Sequence, residues 1–418
     1  MDSILTTIFA IALFITLYFE VFLLLTYFEN RKLFERRGVA PRCGAEAPMP
    51  SVTVIVPCWN EALTVGATCE SLLALDYPQD KLEIILVDDG STDGTPAAMA
   101  RFSLHPQVRI ISKENGGKHT ALNAGIAATN AELVGCLDAD SFVEPNALRE
   151  VIPCFDDPQV AATTSAMSVH APHNFIQHMQ NAEYVFGIAL RHILASVNGL
   201  YVTPGPFSFY RRAVIADLGG FKHGNQTEDM EMALRLQRAG YKIENAPRAR
   251  VYTTSPNTLQ KLMRQRVRWT AGFFRNVLGE YRELIGNRRY GALGMLVLPL
   301  TFISIGSGIL LFFLMLFQLV NNSLTALEIR AGIPFSYAFL PHISFDLFYF
   351  PSGFYLLLGV VALLASLSLI AIGKHISRTP GRIGFGLISY TFLYGLIAPL
   401  WLLRATADVA LGKHRPWR

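Results

Sequence analysis

Long runs of apolar residues mark both ends of this chain, whereas its middle alternates short apolar runs with polar loops. Residues 4–28 are long enough to cross a bilayer as a helix, because about 20 residues span the hydrocarbon, and Glu20 is the only charged residue among them. Three further runs lie at residues 291–320, 351–373 and 383–403. The pattern predicts a membrane helix within 1–30, a membrane region over 290–405 and a soluble block between them.

Basic residues flank the soluble block on both sides. "ENRKLFERR" (29–37) follows the first apolar run and "YRELIGNRRY" (281–290) precedes the second. Lys and Arg concentrate in cytoplasmic loops, so we expect a multi-pass protein of the cell membrane with its soluble block in the cytoplasm. Three C-terminal spans would place the tail outside, although it carries Lys413, Arg415 and Arg418. Either the last segment re-enters the membrane, or residues 333–350 contain another crossing.

Composition narrows the class of protein. The chain has 418 residues, of which 51% are hydrophobic and 16% charged, which is too apolar for an ordinary soluble protein. Its N-terminus lacks the basic start and small-residue cleavage site of a signal peptide, so a retained anchor is expected. The five cysteines show no C-x-x-C spacing and predict reduced thiols rather than a disulfide framework. The net charge of +4 gives no reason to expect a nucleic-acid partner.

Strands and helices alternate along the soluble block. Continuous apolar runs at 51–57, 82–87, 108–112 and 131–137 predict strands, and the segments between them read as helices. Buried strands separated by helices are typical of an open, largely parallel α/β sheet. Ligands of such sheets bind beyond the carboxyl ends of the strands, where the four loops can converge on one site.

Polar residues follow each of these strands. In "LDADS" (137–141), Asp138 and Asp140 would share one face of an extended segment, roughly 6–7 Å apart, and two carboxylates that close favour a bound cation. The pattern predicts a site for Mg²⁺ or Mn²⁺ and a phosphate. Neither G-x-G-x-x-G nor G-x-x-x-x-G-K-[ST] occurs, which disfavours a dehydrogenase and a P-loop protein. The other strand-end residues that form this predicted site are Asn60, Glu61, Asp88, Asp89 and Lys118.

Two later segments each allow a structural and a functional interpretation. Glu228 and Asp229 begin a predicted helix over 228–239, where acidic residues commonly complement the helix dipole but could also supply a general base. Residues 255–284 predict one or two amphipathic helices at the membrane interface. On that stretch Gln265, Arg268 and Trp269 fall on one side, either as an interfacial anchor or as a binding triad above the site.

The motifs together resemble the processive glycosyltransferases of family 2, the membrane synthases of hyaluronan, chitin-type oligomers, cellulose and poly-N-acetylglucosamine. The resemblance covers about 51–275. It implies a GT-A domain over 50–255, with a Rossmann-like open mixed sheet, and interface helices bearing Q-x-x-R-W over 256–285. The motifs that carry it are "VIVPCWNE", "VDDGSTDGT", "NGGKHTALNAG", "LDADS", "GPFSFYRR", "TEDMEMALRLQRAGY" and "QRVRW".

The resemblance also implies residue roles. Asp229 would be the general base, with Glu228 beside it in the catalytic group. Asp140, with Asp138, would hold Mg²⁺ or Mn²⁺, and Trp269, Gly205 and Pro206 would contact the acceptor. The remaining residues would bind the nucleotide sugar: Glu61, Asp88, Asp89, Lys118, Asp138, Gln265 and Arg268.

Three functions are compatible with these patterns. The first is metal-dependent, inverting transfer from a UDP-sugar, with UDP-N-acetylglucosamine expected and UDP-glucose open, to a β-linked polysaccharide that is extended processively and exported. The second is transfer of a single sugar to a lipid carrier or glycolipid. The third is a membrane transporter or scaffold that only binds a nucleotide.

Some features depart from the family. His119 occupies a position where a small residue is expected, and about 15 residues follow the last span, too few for the cyclic-dinucleotide-binding domain of cellulose synthases. The single N-terminal span is sparse for a polymer channel. We therefore expect an accessory membrane subunit or a homo-oligomer as a partner, besides membrane lipids.

Overall fold

The structure is a computed structural model that describes residues 3–39, 49–329, 331, 354–381 and 383–413. The chain divides into two compact units. One comprises Met1–Leu24 and Leu300–Ser368, and the other comprises Leu25–Pro299 and Leu369–Arg418.

Long apolar helices account for the predicted membrane segments. Within the described residues, four helices are long and apolar enough to cross a bilayer, and they coincide with the four predicted runs. Residues 333–350, Arg415 and Arg418 lie outside the described residues. The four helices are Thr7–Arg31, Leu293–Ile329, Leu356–Ser377 and Gly384–Ala410.

The first compact unit is built from apolar helices whose outer faces are open. Phe14, Met315 and Leu319 are each more than half exposed, as expected of side chains that contact lipid. Inside this unit the Ser366 hydroxyl donates a hydrogen bond to the carboxylate of Glu20. The charged residue of the first apolar run therefore has a polar partner.

The second unit contains one mixed sheet with helices packed on it. In chain order the strands are β1 (Val52–Cys58), β2 (Leu82–Asp89), β3 (Val108–Lys113), β4 (Leu133–Cys136), β5 (Ser141–Val143), β6 (Val160–Val169), β7 (Ser208–Arg211) and β8 (Lys242–Thr253). The helices from the N-terminus are α1 (Ser3–Val39), α2 (Val65–Leu73), α3 (Thr95–Ala100), α4 (Lys118–Ala127), α5 (Ala147–Val151), α6 (Phe175–Ser196), α7 (Arg212–Asp217), α8 (Glu228–Arg238), α9 (Leu259–Arg275), α10 (Leu298–Ile329), α11 (Phe354–Ser377), α12 (Gly384–Ser389) and α13 (Gly395–Ala410).

The strand order is β3-β2-β1-β4-β7-β6-β8-β5. Strands β1 to β4 run parallel to one another, which confirms the predicted convergence of their carboxyl ends on one edge. Strand β7 pairs antiparallel with β4 and β6, and β5 pairs antiparallel with β8. Strands β6 and β8 pair parallel with each other, so the sheet is mixed, and of the described strands only β5 and β7 run against the others.

The aspartates after β4 do not lie on an extended segment. Strand β4 ends at Cys136, and the backbone amide of Ser141 donates to the carbonyl of Asp138 at 3.0 Å, which closes a turn. The predicted extended segment is thus replaced by a turn, although the two aspartates are still close enough for the charge of Asp138 to act on Asp140. By contrast, β2 continues to Asp89, so Asp88 and Asp89 end a strand rather than begin a turn.

Helix α9 forms the first part of the predicted amphipathic stretch. The Thr258 side chain caps its start by accepting from the amide of Lys261, and a π-helical turn, Asn276–Glu280, follows its end. Helix α9 packs against α13, within the apolar segment Gly384–Ala410. The apolar side chains buried between them are Val267, Ala271, Ile397, Trp401 and Ala405.

A glycine lets an aromatic ring lie across the centre of the sheet. Gly135 on β4 pairs with Phe209 on β7, and a β-carbon at Gly135 would lie 2.4 Å from the Phe209 ring. Phe209 is fully buried, so its ring has little room to move. The site-bearing end of β4 therefore depends on this contact.

Replacing Gly135 with Ala should destabilise the sheet unit by about 1–3 kcal/mol, the usual cost of overpacking a core. The measurement is the thermal unfolding midpoint of the purified protein. Gly279→Ala is the matched control, since a β-carbon there meets nothing within 4 Å. Equal unfolding midpoints for the two variants would show that the Phe209 ring adapts freely.

Candidate active site

The ammonium group of Lys118 lies at the centre of an acidic cluster. Lys118 begins α4 directly after the glycine loop, and its Nζ lies 2.5 Å from Oδ1 of Asp138 and 3.2 Å from Oε1 of Glu228. Burial alone would lower the pKa of Lys118, but the carboxylates of Asp138, Glu228 and Asp229 outweigh it and hold that pKa well above its usual value. Lys118 therefore stays charged and joins the loop after β4 to the start of α8.

Asp89 fixes the loop that carries Lys118. Its carboxylate is 3% exposed and accepts hydrogen bonds from the amides of Gly116 (3.1 Å) and Gly117 (2.8 Å) and from Lys113 Nζ (2.6 Å). Gly117 adopts a φ of 91°, a conformation that favours glycine. The carboxylate of Asp89 is thus engaged inside the protein, and its expected contact with a nucleotide stays a prediction.

Asp88 and Glu61, the other carboxylates predicted to contact the nucleotide, lie at or just after the ends of β2 and β1. Asp88 accepts from the amide of Ser91 at 3.0 Å, and the Thr64 hydroxyl donates to Glu61 at 3.1 Å. Their assignment to the nucleotide remains a prediction.

A divalent cation fits the carboxylates around Asp140. Burial, together with the charges of Asp138 and Glu61, raises the pKa of Asp140 to about 7. Ionisation of Asp140 is therefore unfavourable, and a bound cation would make it more favourable. Among the described residues no cluster of three metal-ligating side chains is formed. Mg²⁺ commonly uses one or two carboxylates together with substrate phosphates, so the assignment of Asp138 and Asp140 as its ligands stays a prediction.

The segment Gly205–Phe207 closes over the Lys118 pair. A β-carbon at Gly205 would lie 2.6 Å from Lys118 Nζ and 3.1 Å from both carboxylate oxygens of Asp138, so only glycine fits there without a shift. The carbonyl of Pro206 accepts from the Ser165 hydroxyl at 2.9 Å. Phe207 is buried at a φ of 59°, which is rare for a bulky residue and which the sequence did not reveal.

The first turn of α8 carries two carboxylates whose pKa values shift in opposite directions. Burial would raise the pKa of Glu228, but Lys118 outweighs it and the pKa is lowered. Burial and the charge of Glu228 raise the pKa of Asp229 to about 6. Asp229 is therefore the better proton acceptor of the two near neutral pH, as a general base requires.

Helix α9 holds the loop that leads into α8. Arg268 Nη1 donates to the carbonyl of Gln226 at 2.9 Å, and the Asn276 side chain donates to Gly224 O and Thr227 Oγ1, both at 3.0 Å. A β-carbon at Gly272 would lie 2.5 Å from the Thr227 side chain, so the helix approaches closely. Asn276 was not among the predicted residues, because nothing in its sequence neighbourhood distinguishes it.

Two further side chains of α9 are notable, one for an unsatisfied buried oxygen and one for its contact with Trp269. Gln265 Oε1 is buried and accepts no hydrogen bond from the described residues, which is costly unless a ligand or water donates to it. The guanidinium carbon of Arg266 lies 4.4 Å from the centroid of the Trp269 ring. The predicted triad thus lies on one helix that contacts the acidic segment.

His119 has a contact that explains its size. Its ring meets that of His223 edge to face, with centroids 5.5 Å apart. Burial and His223 lower the pKa of His119, so the ring stays neutral at neutral pH. The departure from a small residue therefore adds a second link between α4 and the loop before α8.

The sequence places the chain in a known family. Residues 49–272 match the model of glycosyltransferase like family 2, which spans more than half of the chain. The chain belongs to this family, as the motifs predicted.

Two bacterial relatives agree with the family assignment. The chain is 29% identical over 245 residues to the poly-β-1,6-N-acetyl-D-glucosamine synthase of Staphylococcus aureus (strain COL), covering 58% of this chain and 59% of that relative. It is 29% identical over 280 residues to the enzyme of the same name from Staphylococcus epidermidis, covering 66% and 67%. The chain thus spans about six tenths of the length of the first of these relatives.

The fold is that of the GT-A glycosyltransferases. The mannosyltransferase PcManGT from Pyrobaculum calidifontis, solved in complex with GDP-Man and Mn²⁺, superimposes with a TM-score of 0.59 at 20% identity, over 97% of this chain and 99% of that one. The expected fold class, an open mixed α/β sheet with apolar helices flanking it in the sequence, is confirmed.

Replacing Gly205 with Ala should displace Lys118 or Asp138, because the new methyl group would occupy their contact. We expect UDP release from UDP-N-acetylglucosamine to fall at least tenfold, with the unfolding midpoint little changed. Gly219→Ala would be strained by its φ of 85°, so Gly279→Ala, in open space, is again the control. A Gly205→Ala protein with unchanged turnover would mean that the Lys118 pair can shift without consequence.

Turnover should depend on pH through Asp229. A base must be unprotonated to accept a proton, and the pKa of Asp229 is about 6. The initial rate should therefore be level above pH 7 and fall roughly tenfold for each unit below about pH 6. The measurement is a pH–rate profile with UDP-N-acetylglucosamine at saturation. A profile that stays level down to pH 5 would contradict the assignment of the base.

Proposed function

We propose that this chain transfers N-acetylglucosamine from UDP-N-acetylglucosamine to a growing β-linked polysaccharide, with inversion at the anomeric carbon. The observation that carries the proposal is the cluster in which Lys118 contacts Asp138 and Glu228 while α9 holds the adjoining loop through Arg268. The names of the two staphylococcal relatives support the choice of sugar. The family supports the reaction class.

The donor binds where the strand ends meet. Asp88 and Glu61 bind the nucleoside, and the diphosphate lies between the aspartates after β4 and Arg268 of α9. A Mg²⁺ or Mn²⁺ ion held by Asp138 and Asp140 would offset the negative charge that develops on the departing UDP. Arg268 and Lys118 add fixed positive charge on the protein side, where it needs no reorganisation during the reaction.

Transfer takes place in one displacement. Asp229 accepts the proton of the acceptor hydroxyl as its oxygen forms a bond to the anomeric carbon, and the bond from that carbon to the diphosphate breaks. Attack from the face opposite the leaving group converts an α-linked donor into a β-linked product. Trp269 packs on the terminal sugar of the acceptor, because the C–H-rich face of a pyranose suits an aromatic ring.

The membrane segments retain the product at the bilayer. We propose that the catalytic unit faces the cytoplasm and that the chain crosses the cell membrane several times, since the basic flanks of the soluble block favour that orientation. The packing of α9 on the apolar segment Gly384–Ala410 supports delivery of the acceptor close to the membrane. Processive extension and export of the polymer are part of this proposal.

Replacing Asp229 with Asn should lower the rate of transfer by about 10²–10⁴, the usual contribution of a positioned base. Purified protein is incubated with Mg²⁺, Mn²⁺ or EDTA and with UDP-N-acetylglucosamine or UDP-glucose, and both UDP release and product mass are measured. The wild type should require a divalent cation, prefer the N-acetylated donor and form products several sugars long.

The control for this experiment is Asp217→Asn, which makes the same chemical change at an exposed residue of α7. It should retain the wild-type rate. Products with only one added sugar would reject processive synthesis in favour of a single-transfer enzyme. An absence of UDP release with every sugar nucleotide would reject glycosyl transfer itself.

A further inference from the structure

A buried ion pair joins α9 to α6 beside the Q-x-x-R-W motif. Arg266 Nη2 lies 2.7 Å from Glu183 Oε2, and the two side chains are only 6% and 16% exposed. Burying a charge pair costs so much desolvation energy that the pair often adds little stability. Its presence at this position therefore indicates that the pair fixes the position of α9 relative to α6.

The guanidinium group of Arg266 covers one face of an indole ring. Its carbon lies 4.4 Å from the centroid of the Trp269 ring and 5.9 Å from that of Tyr184. Arg266 and Trp269 are three residues apart on α9, so they share one side of the helix. Because Glu183 holds the planar guanidinium, the ring stacked on it is also held in one orientation.

The same carboxylate contacts the apolar C-terminal segment. The hydroxyl of Tyr394 donates to Glu183 Oε1 at 3.4 Å, and the Tyr394 ring meets the edge of Trp401 with centroids 5.3 Å apart. Glu183 therefore joins three elements of this unit: α6, α9 and the apolar segment Gly384–Ala410.

We propose that Glu183 and Arg266 are positioning residues that orient Trp269 for the acceptor sugar, so that this pair sets acceptor affinity and product length without binding the donor. The proposal rests on the acceptor role proposed above for Trp269. An aromatic ring held on one face offers a sugar a single stacking geometry, and loss of about one ångström of alignment is enough to impair transfer.

The kinetic test uses Arg266→Lys, Glu183→Gln, Trp269→Ala and the double variant Arg266→Lys/Trp269→Ala. Lysine keeps the charge of Arg266 but not its planar surface. We expect each single variant to raise the KM for a β-linked N-acetylglucosamine oligomer at least fivefold and to shorten the product, while the KM for UDP-N-acetylglucosamine changes less than twofold. The double variant should be no worse than Trp269→Ala alone, because Arg266 acts through that ring.

Two kinetic results would overturn the proposal. One is a donor KM that rises as much as the acceptor KM. The other is a double variant whose loss equals the product of the two single losses. The matched control is Arg235→Lys, which alters a still more deeply buried pair with Glu231 inside α8. The control fails if Arg235→Lys raises the acceptor KM as much as Arg266→Lys does at an equal loss of thermal stability. The effect would then come from general destabilisation, and the proposal would be wrong.

A second readout does not depend on activity. The emission of Trp269 is obtained by subtracting the fluorescence spectrum of the same protein carrying Trp269→Phe. The quenching of this emission by acrylamide is then measured for each variant. We expect Arg266→Met and Glu183→Gln to raise the quenching constant at least twofold, and unchanged quenching would contradict the positioning role. If the wild type transferred no sugar, the proposed function would fail while this measurement still decided whether Arg266 fixes the ring.

Discussion

The ion pairs of one buried ammonium group hold the candidate active site together. Carboxylates from the loop after β4 and from α8 could not lie so close in a buried cleft without a counter-charge, and Lys118 supplies it to Asp138 and Glu228. The position of Lys118 depends in turn on Asp89, which binds the two glycine amides just before α4. A strand end, a glycine loop and two acidic segments thus form one connected structure.

Helix α9 complements this acidic structure from the other side. Arg268 and Asn276 hold the loop before α8, whereas Val267 and Ala271 pack on the apolar C-terminal segment. One helix therefore contacts both the loop before the acidic first turn of α8 and the apolar segment Gly384–Ala410. This dual packing gives a physical reason for polar and apolar residues to alternate along residues 259–275. From the sequence alone, an interfacial anchor explained that alternation equally well.

The parallel half of the sheet could be predicted because its strands are continuous apolar runs that end at polar loops. The antiparallel strands β5 and β7 could not, since they are three and four residues long and pair with strands distant in the sequence. The candidate residues were found through motif spacing, but their partners were not: Glu183 and Arg266 are 83 positions apart. Likewise, the engagement of Asp89 depends on contacts with residues 24 to 28 positions away.

The most direct test of the account is a structure of the membrane-embedded protein with UDP-N-acetylglucosamine and Mn²⁺, determined by electron cryo-microscopy. We expect the diphosphate between Arg268 and the aspartates after β4, with the ion on Asp140 and the anomeric carbon facing Asp229. A nucleotide bound away from Lys118 and Asp138, with no ion at Asp140, would contradict the central claim that these residues enclose one cation-bridged sugar nucleotide.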